Sequence, residues 1–131
     1  MIDTINAFSS FSVDDLNKAK EFYSQTLGIE VESKDGMGLS LHLGKSTSAF
    51  LYAKKDHQPA TFTVLNFEVD DIDAAVAALE KEGVTFEHYN NKDLPQDEKG
   101  ILRGSRAGRG PDIAWFKDPA GNILSIKQVE D

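Results

Sequence analysis

The sequence predicts an α+β fold built from two tandem β-α-β-β-β modules. Three observations lead there. The chain repeats itself, two apolar stripes at helical spacing each end at a glycine, and the remaining apolar residues fall in short alternating runs. The repeat is direct. Ser12–Ala19 (SVDDLNKA) reads like Glu68–Ala75 (EVDDIDAA), with Val13 answered by Val69 at an offset of 56 residues. Leu27–Glu32 then matches Glu82–Glu87 with one residue of slippage. The junction falls near Asp56–Ala60, where Pro59 and its polar neighbours suit a linker. Module one therefore spans about residues 1–56 and module two about residues 60–131, together one domain of residues 1–131.

Each module opens with a strand. Phe11 and Val13 alternate with Ser10 and Ser12, and Leu65, Phe67 and Val69 alternate with Asn66 and Glu68. A helix follows. Asp15 and Asp71 stand where a carboxylate can accept the free N–H groups of a first turn and favour its positive end. Leu16, Ala19, Phe22 and Tyr23 form one apolar stripe, and Ile72, Ala75, Val76 and Leu79 the other. Gly28 and Gly83 then supply the left-handed residue that closes a helix. Gly38–Gly44 alternates, with Leu39, Leu41 and Leu43 on one face and Ser40 and His42 on the other. Ala49–Ala53 is a short apolar strand. Ile113–Phe116 and Ile123–Val129 flank Asp118–Asn122 (DPAGN), a hairpin turn in which Pro119 presets φ and Gly121 takes positive φ. The helix of each module covers one sheet face and leaves the other free. Only Asn90–Asp112 has no period. It is long, polar and glycine-rich, the kind of segment that serves function or moves.

Composition narrows the chemistry. The chain has 131 residues, 40% hydrophobic and 27% charged, the balance of a globular domain. With no cysteine, it has no disulfide framework, thiolate zinc site or cysteine nucleophile. A net charge of −8 argues against nucleic acid and anionic membrane as partners. No apolar run nears the roughly 20 residues of a membrane helix, and Met1–Thr4 lacks the basic, apolar start of a signal peptide. A cytoplasmic location is the expectation.

Four motifs stand in order: Val13-Asp14-Asp15-Leu16, Phe22–Gly28 (FYSQTLG), Val69-Asp70-Asp71-Ile72 and Phe116–Asn122 (FKDPAGN). Together they resemble the vicinal oxygen chelate superfamily, which holds glyoxalase I, the bleomycin-resistance proteins, fosfomycin-resistance enzymes and extradiol dioxygenases. The resemblance implies sheets curled around a cleft with helices outside, and a homodimer. In the metal enzymes of that family, His, Gln or Glu ligands lie five residues before the Val of each first strand, and a Glu lies three after the Asn of the final turn. Carried onto this chain, those positions are Phe8, Val64 and Ser125. A one-residue slip offers Ala7, Ser9, Thr63 or Leu65. None supplies the set of O and N donors that repays dehydration of a divalent cation. The expectation is no metal and no cofactor.

Strand parity names the residues that line the implied cleft. They are Phe8, Ser10 and Ser12 from the first strand; Phe62, Val64, Asn66 and Glu68 from its repeat; and Ile123 and Ser125 from the last. Phe50 and Tyr52 join them, with one of Trp115 and Phe116, Trp115 being favoured. Such a cleft is aromatic with a few neutral polar groups and suits a flat or apolar organic molecule; the same aromatics would equally fill a sheet face or a dimer contact. His42 is either a cleft-facing general base or an exposed strand histidine, and His57 and His88 read as solvated. Between residues 99 and 117, five basic residues face Asp112 alone. Arg103, Arg106 and Arg109 there are either a clamp for a carboxylate or phosphate, with Leu94–Gly110 as a lid, or a solvated loop paired with acidic surface. Gly104, Gly108 and Gly110 have the wrong spacing for a phosphate fingerprint, and no nucleophile triad is present.

The function expected first is a metal-free small-molecule-binding protein, resembling the bleomycin-resistance type, whose organic ligand is neutral or anionic. The ligand-contact candidates are Phe8, Ser10, His42, Phe50, Tyr52, Phe62, Val64, Asn66, Arg109, Trp115 and Ser125. The alternatives are a metal-dependent lyase or dioxygenase of the glyoxalase type, and a cofactor-free enzyme using His42 or Tyr52.

Overall fold

The computed structural model describes residues 1–106, 108 and 110–129. The chain divides into two compact units, Met1 to Pro59 and the part that begins at Ala60. Each is a helix packed on a four-stranded mixed sheet in β-α-β-β-β order, so the α+β class and the tandem repeat hold.

The first unit runs β1 (Ser9–Val13), α1 (Leu16–Glu21), β2 (Glu30–Lys34), β3 (Gly38–His42) and β4 (Ser48–Ala53). Its sheet order is β1-β4-β3-β2, with β1 parallel to β4 and the other pairs antiparallel. The second unit runs β5 (Thr63–Val69), α2 (Ile72–Lys81), β6 (Leu102–Arg103), β7 (Asp112–Lys117) and β8 (Ile123–Gln128), in the same order, β5-β8-β7-β6. The repeat extends to single hydrogen bonds. Lys54 N–H donates to Val13 O at 3.0 Å, and Val129 N–H to Val69 O at 2.9 Å.

Both helix starts form as the carboxylates predict. Asp15 Oδ1 accepts from the N–H groups of Asn17 and Lys18, and Asp71 Oδ1 from that of Ala74. The ends differ. Gly83 closes α2 at φ +91°, whereas α1 widens into a π-helical turn, Phe22–Thr26, before Gly28 at φ +71°. In that turn the Ser24 hydroxyl donates back to Lys20 O, and Leu27 N–H reaches Phe22 O five residues earlier. The turn buries Tyr23 completely.

The cores follow the apolar stripes. Val13, Ala19, Tyr23, Leu39, Leu41 and Leu51 are buried in the first unit. Ile72, Val76, Ala114, Phe116, Leu124 and Ile126 are buried in the second. Each fully buried Leu or Ile contributes roughly 1.5–3 kcal/mol of transfer free energy. The β7–β8 turn is held by Asp118, whose Oδ1 accepts from Ala120 and Asn122 N–H while Oδ2 accepts from Asn122 Nδ2. Gly121 sits at φ +85° within it.

The segment after α2 corrects the reading of Asn90–Asp112 as structureless. It supplies β6, which continues along β7 the edge begun by the Phe86–Phe116 bridge. The 87–101 excursion splits that edge and is tied at its base. Gln96 accepts from Tyr89 N–H and donates to Glu87 O and Gly100 O. Asp97 Oδ1 accepts from Lys99 and Ile101 N–H, and Ile101 is fully buried. These bonds fasten residues 96–101 of the Leu94–Gly110 segment. Among the described residues, no helix is long and apolar enough to cross a membrane.

Candidate functional site

The register assigns every strand residue to a face. In the first unit, Ser10 pairs with Phe50 and Ser12 with Tyr52 across β1–β4. Ser40 pairs with Phe50, and His42 with Ser48, across β3–β4. Ser10, His42, Phe50 and Tyr52 therefore share one face, opposite the buried Leu39, Leu41 and Leu51. Phe50 is half-buried, and Ser10, His42 and Tyr52 are exposed. Phe8 precedes β1 in irregular chain, 63% exposed. With Met37, Phe50, Ser40 and Lys34 it lines a groove of about 370 Å³.

Polar groups on this face are already engaged. His42 Nε2 lies 3.2 Å from Glu32 Oε2, and Lys34 Nζ lies 3.1 Å from Glu32 Oε1. The hydrogen bond from Lys34, and then that from His42, hold the Glu32 carboxyl below its ordinary pKa. His57 is not simply solvated. It is half-buried, and its Nδ1 meets Ser12 Oγ at 2.6 Å, tying the turn after β4 to β1. His88 is exposed, as expected.

In the second unit, Asn66 pairs with Ser125 and Ser125 with Trp115, so the three form a row across β5, β8 and β7. This face lies away from α2. The opposite face carries Arg103 and Gln128, which bond Asp73 and Ile72 of the helix. Asn66 is exposed, Trp115 half-buried and Ser125 fully buried. The Ser125 hydroxyl donates to Asn66 Oδ1. Tyr89 sets its ring edge-on to Trp115 at 5.6 Å. Burial, and then the nearby Glu87 carboxylate, raise the Tyr89 phenol above its ordinary pKa.

Parity is broken at Val64. The register slips between Thr63 and Leu65, leaving Val64 the extra residue of a β-bulge. Thr63 pairs with Ile123 and accepts the Trp115 indole N–H on Oγ1 at 3.1 Å. Thr63 thus joins the Trp115 face by a route that strict alternation hides. The adjacent apolar pair Val64-Leu65 was the signal. Phe62, before the bulge, is 67% exposed. Tyr89 had no sequence signal, because its place comes from the backbone around Gln96.

Of the three arginines, Arg103 takes the paired alternative. Arg103 is committed to three carboxylates, Asp73, Asp97 and Asp112, at 2.7 to 3.3 Å. They lie on the helix side of the sheet. Arg106 is exposed, and Arg109 lies outside the described residues.

A family-type metal fits poorly. Phe8 and Val64 have no donor atom, and Ser125 spends its buried hydroxyl on Asn66. Among the described residues, no group of three His, Asp or Glu side chains is placed to hold a metal ion.

Residues 2–126 match the family model described as Glyoxalase/Bleomycin resistance protein/Dioxygenase superfamily. No curated protein gives a significant match. Several solved structures are similar. TnmS3, an antibiotic binding protein from Streptomyces sp. CB03234, is 27% identical, with 96% of this chain and 98% of that chain covered and a TM-score of 0.66. A lactoylglutathione lyase from Agrobacterium tumefaciens is 19% identical, with 97% and 96% covered and a TM-score of 0.63. The fosfomycin resistance protein FosX from Listeria monocytogenes is 14% identical, with 99% and 96% covered and a TM-score of 0.67. The last two likenesses are of fold alone.

Proposed function

This chain belongs to the Glyoxalase/Bleomycin resistance protein/Dioxygenase superfamily, and from that premise we propose that it binds a small organic molecule without a metal ion, by ring contact and hydrogen bonding. One observation carries this reading. Where relatives with metal chemistry offer donors, this chain has a phenylalanine, a valine and a serine whose hydroxyl is already given away. A cation stripped of water needs several oxygen or nitrogen ligands. A flat molecule needs aromatic surface and a few fixed polar atoms. Trp115 against Tyr89 provides the latter, and so does the groove beside Phe8 and Phe50. The likeness to an antibiotic binding protein, 27% identical over 96% of this chain, supports a ligand of that kind. A homodimer and a cytoplasmic setting complete the reading.

Trp115 is the only tryptophan, so its emission reports the second unit's face. Titration with bleomycin and with daunorubicin, in EDTA, should give a saturable change with at least one of them. Trp115→Ala should weaken that binding about tenfold by calorimetry, the scale of a lost aromatic contact. The reading is overturned if neither antibiotic binds. It is equally overturned if the protein turns over the glutathione–methylglyoxal hemithioacetal or cleaves a catechol only after nickel, zinc or iron is restored.

A further inference from the structure

We propose that Asn66 selects the ligand through its side-chain N–H₂, and that the group it selects is an uncharged carbonyl oxygen on a planar aromatic molecule, such as a quinone or an aryl ketone. The inference rests on metal-free binding at the Trp115 face and adds which chemistry that face prefers.

Asn66, Ser125 and Trp115 stand level on three neighbouring strands. Asn66 and Trp115 are two strand spacings apart, about 10 Å, the length of two or three fused rings. A flat molecule resting on the indole therefore reaches the amide. The direction of that amide is set from beneath. A carboxamide has an accepting oxygen and two donating N–H groups. The buried Ser125 hydroxyl donates to Asn66 Oδ1 and occupies the oxygen end. Asn66 is exposed, so the end it offers a ligand is Nδ2, a donor. Trp115 adds no second donor, because its indole N–H is given to Thr63 Oγ1. The row thus presents one apolar ring and one neutral donor. Its complement is an aromatic body bearing an acceptor.

Charge points the same way. The neighbouring row places Glu68 opposite Lys127, two charges of opposite sign. On the other side, Lys117 lies 3.6 Å from Glu87. Arg103 is committed to the helix side. A neutral carbonyl loses less hydration than a carboxylate on meeting a neutral amide. An anionic ligand is therefore not what this face favours.

A matched pair of probes isolates the carbonyl. 2-(Hydroxymethyl)anthraquinone and 2-(hydroxymethyl)anthracene share the ring outline and a neutral substituent and differ in the two carbonyl oxygens. Calorimetry on the intact protein in EDTA should give a dissociation constant about tenfold lower for the anthraquinone, as one hydrogen bond is worth. Asn66→Asp replaces the donor with an anion and should remove that preference while anthracene binding persists. Asn66 is exposed, so the variant tests recognition rather than folding. Ser125→Ala should shrink the preference by releasing the amide. If both probes bind the natural protein equally, the assignment to Asn66 falls and metal-free aromatic binding stands. A preference that survives Asn66→Asp also ends it. If neither probe binds, the aromatic-ligand reading falls and this inference with it.

Discussion

Arg103 grips Asp73 with both terminal nitrogens, Nη1 to Oδ2 at 3.1 Å and Nη2 to Oδ1 at 2.7 Å, joining β6 to the first turn of α2. The same guanidinium reaches Asp97 Oδ2 through Nε at 3.1 Å and Asp112 Oδ2 through Nη1 at 3.3 Å. A two-residue edge strand has little pairing of its own. This fork, planar and always charged, is what fastens it to the helix and to the 97–101 turn.

Arg103→Met should therefore destabilise the protein by about 2–3 kcal/mol. Loss of one partner from a fully buried ion pair costs about 3–5 kcal/mol, and the half-exposed Asp73 lowers the figure through solvent screening. Asp112 carries most of the cost, being nearly buried and left with Ser105 alone among these partners. Arg103→Lys should recover only part, since an ammonium cannot serve three carboxylates in this geometry. Urea denaturation of the three proteins decides it; a change below about 0.5 kcal/mol, the range of an ordinary surface substitution, would contradict the account.

The acid side of the stability profile should carry the same signature. Burial works to raise the Asp112 carboxyl, but the Ser105 hydroxyl and amide and the Arg103 charge outweigh it and hold it below the ordinary value. Asp73 is also held low, mainly by the hydrogen bonds from Arg103. A folded-state value below the unfolded one means the unfolded chain takes up protons first as pH falls. The stabilisation is present above about pH 4 and is lost as pH drops through the depressed folded values. Unfolding free energies at pH 3, 4, 5 and 6 should fall at the acid end, and less steeply in Arg103→Met.

Gly38→Ala should cost about 1–3 kcal/mol, the range of forced overpacking. A Cβ at Gly38 would collide with the Leu51 carbonyl oxygen and stand 2.7 Å from Phe50 Cζ. The first is backbone of the neighbouring strand and cannot step aside. Gly36, two residues earlier, has open space around it but φ +74°, so its alanine variant strains the backbone without a clash. Thermal melts of the two variants separate crowding from strain.

Residue type and local order made much of the fold legible. The Val-Asp-Asp starts, the closing glycines and the DPAGN turn act over a few residues, through hydrogen bonds and φ preferences that need no distant partner. Two outcomes are of another kind. Val64 bulges, which brings Thr63 to the indole in place of the next residue along. Alternation says which side a residue takes only while the ladder stays in register. Arg103 read either as a ligand clamp or as paired with acidic surface, because its partners Asp73 and Asp97 lie 30 and 6 residues away.

By itself, the order of residues determined the tandem modules, both helix caps, the membership of each sheet face across most strands and the absence of a donor atom at Phe8 and Val64. Tertiary structure alone decided that Ser125 orients Asn66, that Tyr89 stands against Trp115 and that Arg103 is bound on the helix side. The reason is physical. Caps, turns and periodicity are set by neighbours along the chain, whereas the direction of a side-chain dipole and the cost of a buried charge depend on groups that only folding brings within about 3 Å.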